Sequence, residues 1–344
     1  MNLPDVINAA DSGAIAHAAA LLRGGGVVGF PTETVYGLGA DAENSGAVSR
    51  IFHIKGRPAD HPLIVHLADT ANIDFWARDI PDSAVRLAER FWPGPLTIVL
   101  RRSPRVTDLV TGGLHTVGIR VPSHPVARAL LREFGGGIAA PSANRFGRIS
   151  PTRADHVREE LGSGPDMILD GGSCQVGLES TIISLAGDRP VLLRPGSISF
   201  AELNGVIGEE ALLLKKPDPA LRAPGSHASH YAPLTPTAVV SREQLALIAG
   251  RFNSAGKTVA ILCLSTTVPP FPGEADCALL PGDPAGYGRE LYTTLRRLDA
   301  AGYDSILIET PPETEPWRAV RDRIRRAAHG RPDTQQFYMT RENR

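Results

Sequence analysis

Twice in its first half the chain runs a short apolar segment into a proline and then hands over polar side chains. Val27-Val-Gly-Phe30 stops at Pro31 and delivers Thr32, Glu33 and Thr34, closed by Gly37 and Gly39; Ile138-Ala-Ala140 stops at Pro141 and delivers Ser142 and Asn144. Proline fixes its own φ and biases the preceding residue to extended geometry, so each run reads as a strand that ends there. Two strands that end alike point to a shared cleft at strand ends, where open α/β sheets bind ligands. On spacing alone, Thr32, Glu33 and Thr34 could equally be solvated residues of a strand-to-helix connection.

The 344 residues suffice for two domains, because single cores rarely grow beyond about 250 to 300 residues. A formal net charge of -1 announces neither a nucleic-acid nor a membrane partner. No apolar run approaches the ~20 residues that cross a bilayer, and Asp5 and Asp11 interrupt any signal-like start, which makes a cytoplasmic protein the expectation. Cys174, Cys263 and Cys277 lack metal-site or C-x-x-C spacing, so no metal bound by the protein's own side chains is expected. Cys263, inside an apolar run, reads as a buried small hydrophobe.

In chain order, Ile15, Ala18, Ala19 and Leu22 mark a helix that ends at Gly24-Gly25-Gly26, and Asn44 or Ser45 can cap a helix through Ile54. Lys55 and Arg57 then flank a glycine in a helix-to-strand loop; standing alone they read as solvated cations, in company as a grip on a polyphosphate. His66, within the strand Leu63 to Leu67, faces the same side as Ile64 and reads by itself as a packed residue. Arg101-Arg102 read as a solvated strand end. Arg120 points opposite to Ile119 and Val121 in a short strand, and a guanidinium so placed needs an anion, from an internal Asp or Glu or from a substrate carboxylate. Thr152 and Asp155 have capping-box-like spacing. Ser180 and Arg194 each put a polar group at an apolar strand's end.

Residues 214 to 236 crowd five prolines and read as an interdomain linker, unusual in carrying His227, His230 and Tyr231. Beyond it, strands and helices alternate as in a small parallel α/β domain without a dinucleotide fingerprint. Its last helix carries Arg318, Arg321, Arg323, Arg325 and Arg326, which read as a solvated face rather than an RNA-binding one.

Lys55-Gly-Arg57-Pro, Pro141-Ser142-Ala-Asn144, Leu178-Glu-Ser180-Thr181 and Leu193-Arg194-Pro-Gly196, in this order after the opening loop, closely resemble the YrdC-like domain of threonylcarbamoyl-AMP synthases, in the long form with a C-terminal domain. The resemblance covers nearly the whole chain. It implies an α/β fold: a YrdC-like twisted mixed open sheet with helices over residues 1–213, a linker and possible active-site lid over 214–236, and a smaller Rossmann-like parallel α/β domain over 237–344.

It also implies chemistry. Such enzymes make threonylcarbamoyl-AMP and pyrophosphate from L-threonine, bicarbonate and ATP, with Mg2+ accompanying the ATP, for a downstream tRNA-modifying threonylcarbamoyl transferase complex. By motif, Lys55 and Arg57 resemble catalytic ligands of the triphosphate, with His61, Thr116, Ser142, Asn144, Ser150 and Arg194 on the nucleotide side and Tyr231 as a lid residue. Thr34, His66, Arg120, Ala140 and Ser180 resemble the threonine pocket. The chain departs from the family pattern at Ser226-His227, where a methionine and an apolar residue are usual, and at Pro316-Trp317, which opens the last helix. A non-catalytic binder of double-stranded RNA or tRNA is the alternative; neutral charge and the lack of aromatic RNA-binding motifs weigh against it. A carbamoyl-transferring module of hydrogenase maturation would need paired cysteines, which this chain lacks.

Overall fold

A computed structural model describes residues 3–208, 211–213, 230–265 and 276–329. The chain divides into two compact units, Met1–Phe146 with Ser150–Ser226, and Gly147–Ile149 with His227–Arg344.

The first unit runs β1 (Asp5–Asn8), α1 (Ala14–Arg23), β2 (Val28–Phe30), β3 (Gly37–Asp41), α2 (Ser45–Lys55), β4 (Ile64–His66), α3 (Ile73–Trp76), β5 (Ala77–Arg78), α4 (Asp82–Phe91) and β6 (Leu96–Arg102). It continues through α5 (Asp108–Thr111), β7 (Thr116–Arg120), α6 (Pro125–Phe134), β8 (Ile138–Ala139), α7 (Ala154–Leu161), β9 (Met167–Asp170), β10 (Thr181–Ser184), β11 (Val191–Arg194), α8 (Phe200–Ile207) and β12 (Leu212–Leu213). Among the described residues twelve strands form one mixed sheet in the order β1-β9-β2-β3-β8-β4-β7-β6-β10-β11-β12, with β5 on β6. β2, β4 and β10 are buried along their whole length, as short apolar runs covered by helices must be. One core packs Leu63, Leu87, Ile98, Ile119 and Leu203; a second packs α1 and α6 through Leu22, Phe30, Leu130 and Leu131.

The second unit runs β13 (Thr237–Val240), α9 (Arg242–Ser254), β14 (Val259–Leu264), β15 (Asp276–Leu280), α10 (Pro284–Ala300), β16 (Ser305–Glu309) and α11 (Arg318–Ala327). Among the described residues its four strands are all parallel, in the order β13-β16-β14-β15. Leu291, Leu295 and Leu298, read from spacing as one stripe of α10, are all buried.

Several local expectations change. The polar loop after Pro31 is shorter than expected, because Gly37–Asp41 is a strand that pairs antiparallel with both β2 and β8. Lys55 is the last residue of α2 rather than a loop residue: Asn44 caps the start through Ala47 N, and Gly56, left-handed at φ 60°, ends the helix one residue later than expected. Arg101 and Arg102 are the last two residues of β6, opposite β5; Arg101 is exposed as expected, whereas Arg102 is half-buried and paired to Asp108 at 2.5 Å. Thr152 does not cap α7; its amide donates instead to Nδ1 of His156 at 3.3 Å. The arginines of α11 are not one solvated face, since Arg323 is fully buried on Asp322 at 2.7 Å.

Candidate active site

Strand register sorts most of the candidate side chains. β4 and β7 run parallel with Ile64 opposite Gly118 and His66 opposite Arg120, so both chains carry a polar residue at their carboxyl ends. At the amino end of the same pair stand Thr116, half-buried, and the loop 57–62 that leads into β4. The two ends of β7 are about 13 Å apart, comparable with the reach from an amino acid to the far phosphates of a nucleotide.

The amino-end cluster is built on Lys55. Its buried ammonium donates to the carbonyl of Ser142 at 2.5 Å and to that of Asn144, while Phe146 N donates to Lys55 O at 2.8 Å. The segment 142–146 is thereby strapped to the end of α2, and Ser142 also bridges Gly37 of β3. Burial, aided by the Arg57 charge, pushes the Lys55 pKa well below the ordinary lysine value. Arg57 donates to Pro62 O at 3.0 Å and lies over the Phe146 ring, which also packs against His61. Ala140, expected in the threonine pocket, donates its amide to Ile64 O at 2.9 Å and so stands level with the amino end of β4.

The carboxyl-end cluster is built on Arg120, buried at 4 % exposure. The anion it requires in this structure is Glu33: Arg120 Nη2 donates to Glu33 Oε1 at 2.6 Å and Nε donates to Gly94 O at 3.3 Å. Glu33 Oε2 accepts from Ser123 N at 3.0 Å. Thr32, Glu33 and Thr34 are buried, not solvated, and the Thr32 hydroxyl folds the loop by donating to Val35 O at 2.6 Å and contacting the Thr34 hydroxyl at 2.8 Å. His66 stands edge-on to Phe30. Burial first, and then the Arg120 charge, pushes its pKa down to about 3, so the ring is neutral at physiological pH.

The turn Gly94-Pro95 carries the second cluster on toward β10, since Pro95 O accepts from Thr181 N at 3.0 Å. There the Ser180 hydroxyl meets that of Thr97 at 2.8 Å, and Arg194 donates from Nε to Ser180 O and from Nη2 to Ser180 Oγ, both at 3.0 Å. Ser150, next along, donates to Glu179 Oε1 at 2.5 Å. Gly196 lets this corner close, because a Cβ there would lie 2.3 Å from Thr181 N.

The first unit thus joins Lys55 to Ser142 and Asn144, Arg57 to His61 through Phe146, Arg120 to His66, and Ser180 to Arg194. Arg194, expected with the nucleotide set, is bonded to a residue of the threonine set. Tyr231 belongs to the second unit: its ring is fully buried, stacked on Tyr292 and covered by Arg323 at 5.1 Å, with a left-handed φ of 62°. The remainder of the expected lid, 214–229, lies outside the described residues. Sequence reasoning passed over Glu33, Thr97 and Glu179 as site residues. Glu33 was within reach of it, because the strand-bound Arg120 called for an internal acid.

The model of the Sua5/YciO/YrdC family, described as "Telomere recombination", matches residues 20–196, and that of the threonylcarbamoyl-AMP synthase C-terminal domain matches 198–329. A threonylcarbamoyl-AMP synthase of Pyrococcus abyssi is 42% identical over 90% of this chain and 93% of its own, and one of Bacillus subtilis is 43% identical over 92% and 93%. The crystal structure of P. abyssi Sua5 complexed with L-threonine superposes with a TM-score of 0.87 at 40% identity, covering 95% of this chain and 97% of that one. A mixed sheet that buries two linked cationic clusters, followed by a small parallel α/β domain, defines a two-domain YrdC-like enzyme. The chain belongs to the threonylcarbamoyl-AMP synthase family.

Proposed function

We propose that this chain makes threonylcarbamoyl-AMP and pyrophosphate from L-threonine, bicarbonate and ATP carried with Mg2+, in the cytoplasm, for a downstream threonylcarbamoyl transferase complex that modifies tRNA. The observation that carries the reading is the register of β4 and β7, which sets His66 and Arg120 at one end of a strand pair and Thr116, Arg57 and His61 at the other. Threonine fits the carboxyl end, with Arg120 toward its carboxylate and Thr34, His66, Ala140 and Ser180 around it. The triphosphate fits the amino end beside Lys55 and Arg57, with His61, Thr116, Ser142 and Asn144; Ser150 and Arg194 extend the nucleotide side, and Tyr231 is the lid residue of this reading. The Mg2+ of this reading comes with ATP as part of the substrate; among the described residues no three His, Cys, Asp or Glu side chains converge on a metal position.

The threonine amine first takes up the carbon of bicarbonate, losing water, to become a carbamate. A carbamate oxygen then attacks the α-phosphorus and the bond to pyrophosphate breaks. The protein's work is to bring two anions together and to balance the charge on the leaving group, for which buried cations in a water-poor site are suited. No nucleophile and base pair is needed, because no covalent enzyme intermediate forms.

Pyrophosphate release from ATP, bicarbonate and each amino acid in turn tests this. Threonine is expected to be the amino acid that supports turnover, and Lys55→Ala and Arg120→Ala are each expected to abolish it. Undiminished turnover in either folded variant refutes that residue's role.

A further inference from the structure

Glu33 and Arg120 form a buried pair, 2 % and 4 % exposed, held at 2.6 Å. Each carboxylate oxygen of Glu33 has one hydrogen bond, from Arg120 Nη2 or from Ser123 N. A carboxylate offers about four acceptor positions, so two remain. Arg120 likewise keeps Nη1 outside these two bonds. Around the pair, burial holds His66 and His124 below the ordinary histidine value, and burial and the Glu33 charge push the Cys174 thiol up, so these three add no charge near neutral pH. A pocket that already pairs one cation with one anion has no net charge to offer a lone carboxylate, which would arrive desolvated and uncompensated.

We propose that Glu33 is a positioning residue for the amino-acid substrate: it holds one edge of the Arg120 guanidinium and balances its charge, so that this end of the site receives a zwitterionic α-amino acid head group rather than a plain carboxylate. The free positions of the pair match the two charges of such a head group, carboxylate toward Arg120 and ammonium toward Glu33. The inference rests on the threonine reading of the carboxyl-end cluster given above.

Calorimetric titration of the full chain with L-threonine, 3-hydroxybutanoate, which lacks the amine, and threoninol, which lacks the carboxylate, tests it. The wild type is expected to bind threonine at least about tenfold tighter than either analogue. Glu33→Gln keeps the shape and removes the charge; its preference for threonine over 3-hydroxybutanoate is expected to fall about tenfold, while KM for ATP stays unchanged. An unaltered preference in a folded Glu33→Gln protein, checked by circular dichroism, overturns the proposal. If that variant does not fold, the wild type decides: 3-hydroxybutanoate binding as tightly as threonine overturns the proposal, and rejection of both analogues supports it. A wild type that binds no threonine would instead strike at the reading on which the proposal rests.

Discussion

At the residue scale, the site is assembled from side chains whose ordinary chemistry is altered by burial. His66 is the clearest case. Its fold-state pKa lies near 3 and its unfolded value near 6.5, so on acidification the unfolded chain takes up a proton that the fold refuses. Stability therefore falls as pH drops from about 6.5 toward 3, by an amount on the order of 2 kcal/mol at pH 5. Unfolding free energies from urea titrations at pH 7 and pH 5 should differ by that much more in the wild type than in His66→Gln. Gly196 provides a second test. Because an added methyl would meet the Thr181 amide at 2.3 Å, Gly196→Ala should cost about 1–3 kcal/mol and loosen the Arg194–Ser180 contact, lowering both the melting temperature and turnover.

At the element scale, short strands and helix ends determine which residues meet. The two proline-ended runs were legible because proline and strand alternation act locally, and so was the stripe of α10. The strand Gly37–Asp41 was hidden: Gly37 and Gly39 read as loop residues, while pairing on both sides supplies the hydrogen bonds that propensity withholds. The role of α11 was hidden for another reason. Five arginines look solvated until one knows that Asp322 collects Arg323, Arg325 and Arg326, and that Tyr231 lies beneath Arg323. Removing that acid deletes the carboxylate on which three guanidiniums converge, one of them fully buried, so Asp322→Ala should destabilise the second unit by about 3–5 kcal/mol in a calorimetric scan.

At the scale of the whole molecule, the two compact units carry different acid sensitivities. Burial would raise the pKa values of Asp166 in the first unit and of Asp299 and Asp322 in the second, yet arginines at Asp166 and Asp322 and backbone amides at Asp299 hold all three below the ordinary value. Their contribution is present above about pH 4 and lost as pH falls through the lower folded values. The first unit also carries the His66 burden, which begins near pH 6.5. Hydrogen exchange at pH 5 should therefore show protection declining in the strands around His66 before it declines in the four-stranded sheet. The first unit's fold was readable through the resemblance its ordered motifs bear to the YrdC-like family, and the second unit's through its alternation of strand and helix patterns. The clusters were readable only as separate motifs, since the pairing of β4 with β7 and of Glu33 with Arg120 joins residues far apart in sequence. One contact carries a further meaning. The Lys55 ammonium has three protons and already spends two on the Ser142 and Asn144 carbonyls. An incoming phosphate must take the remaining one or draw the lysine away from that strap, so in this reading nucleotide affinity depends on how tightly the protein grips its own main chain.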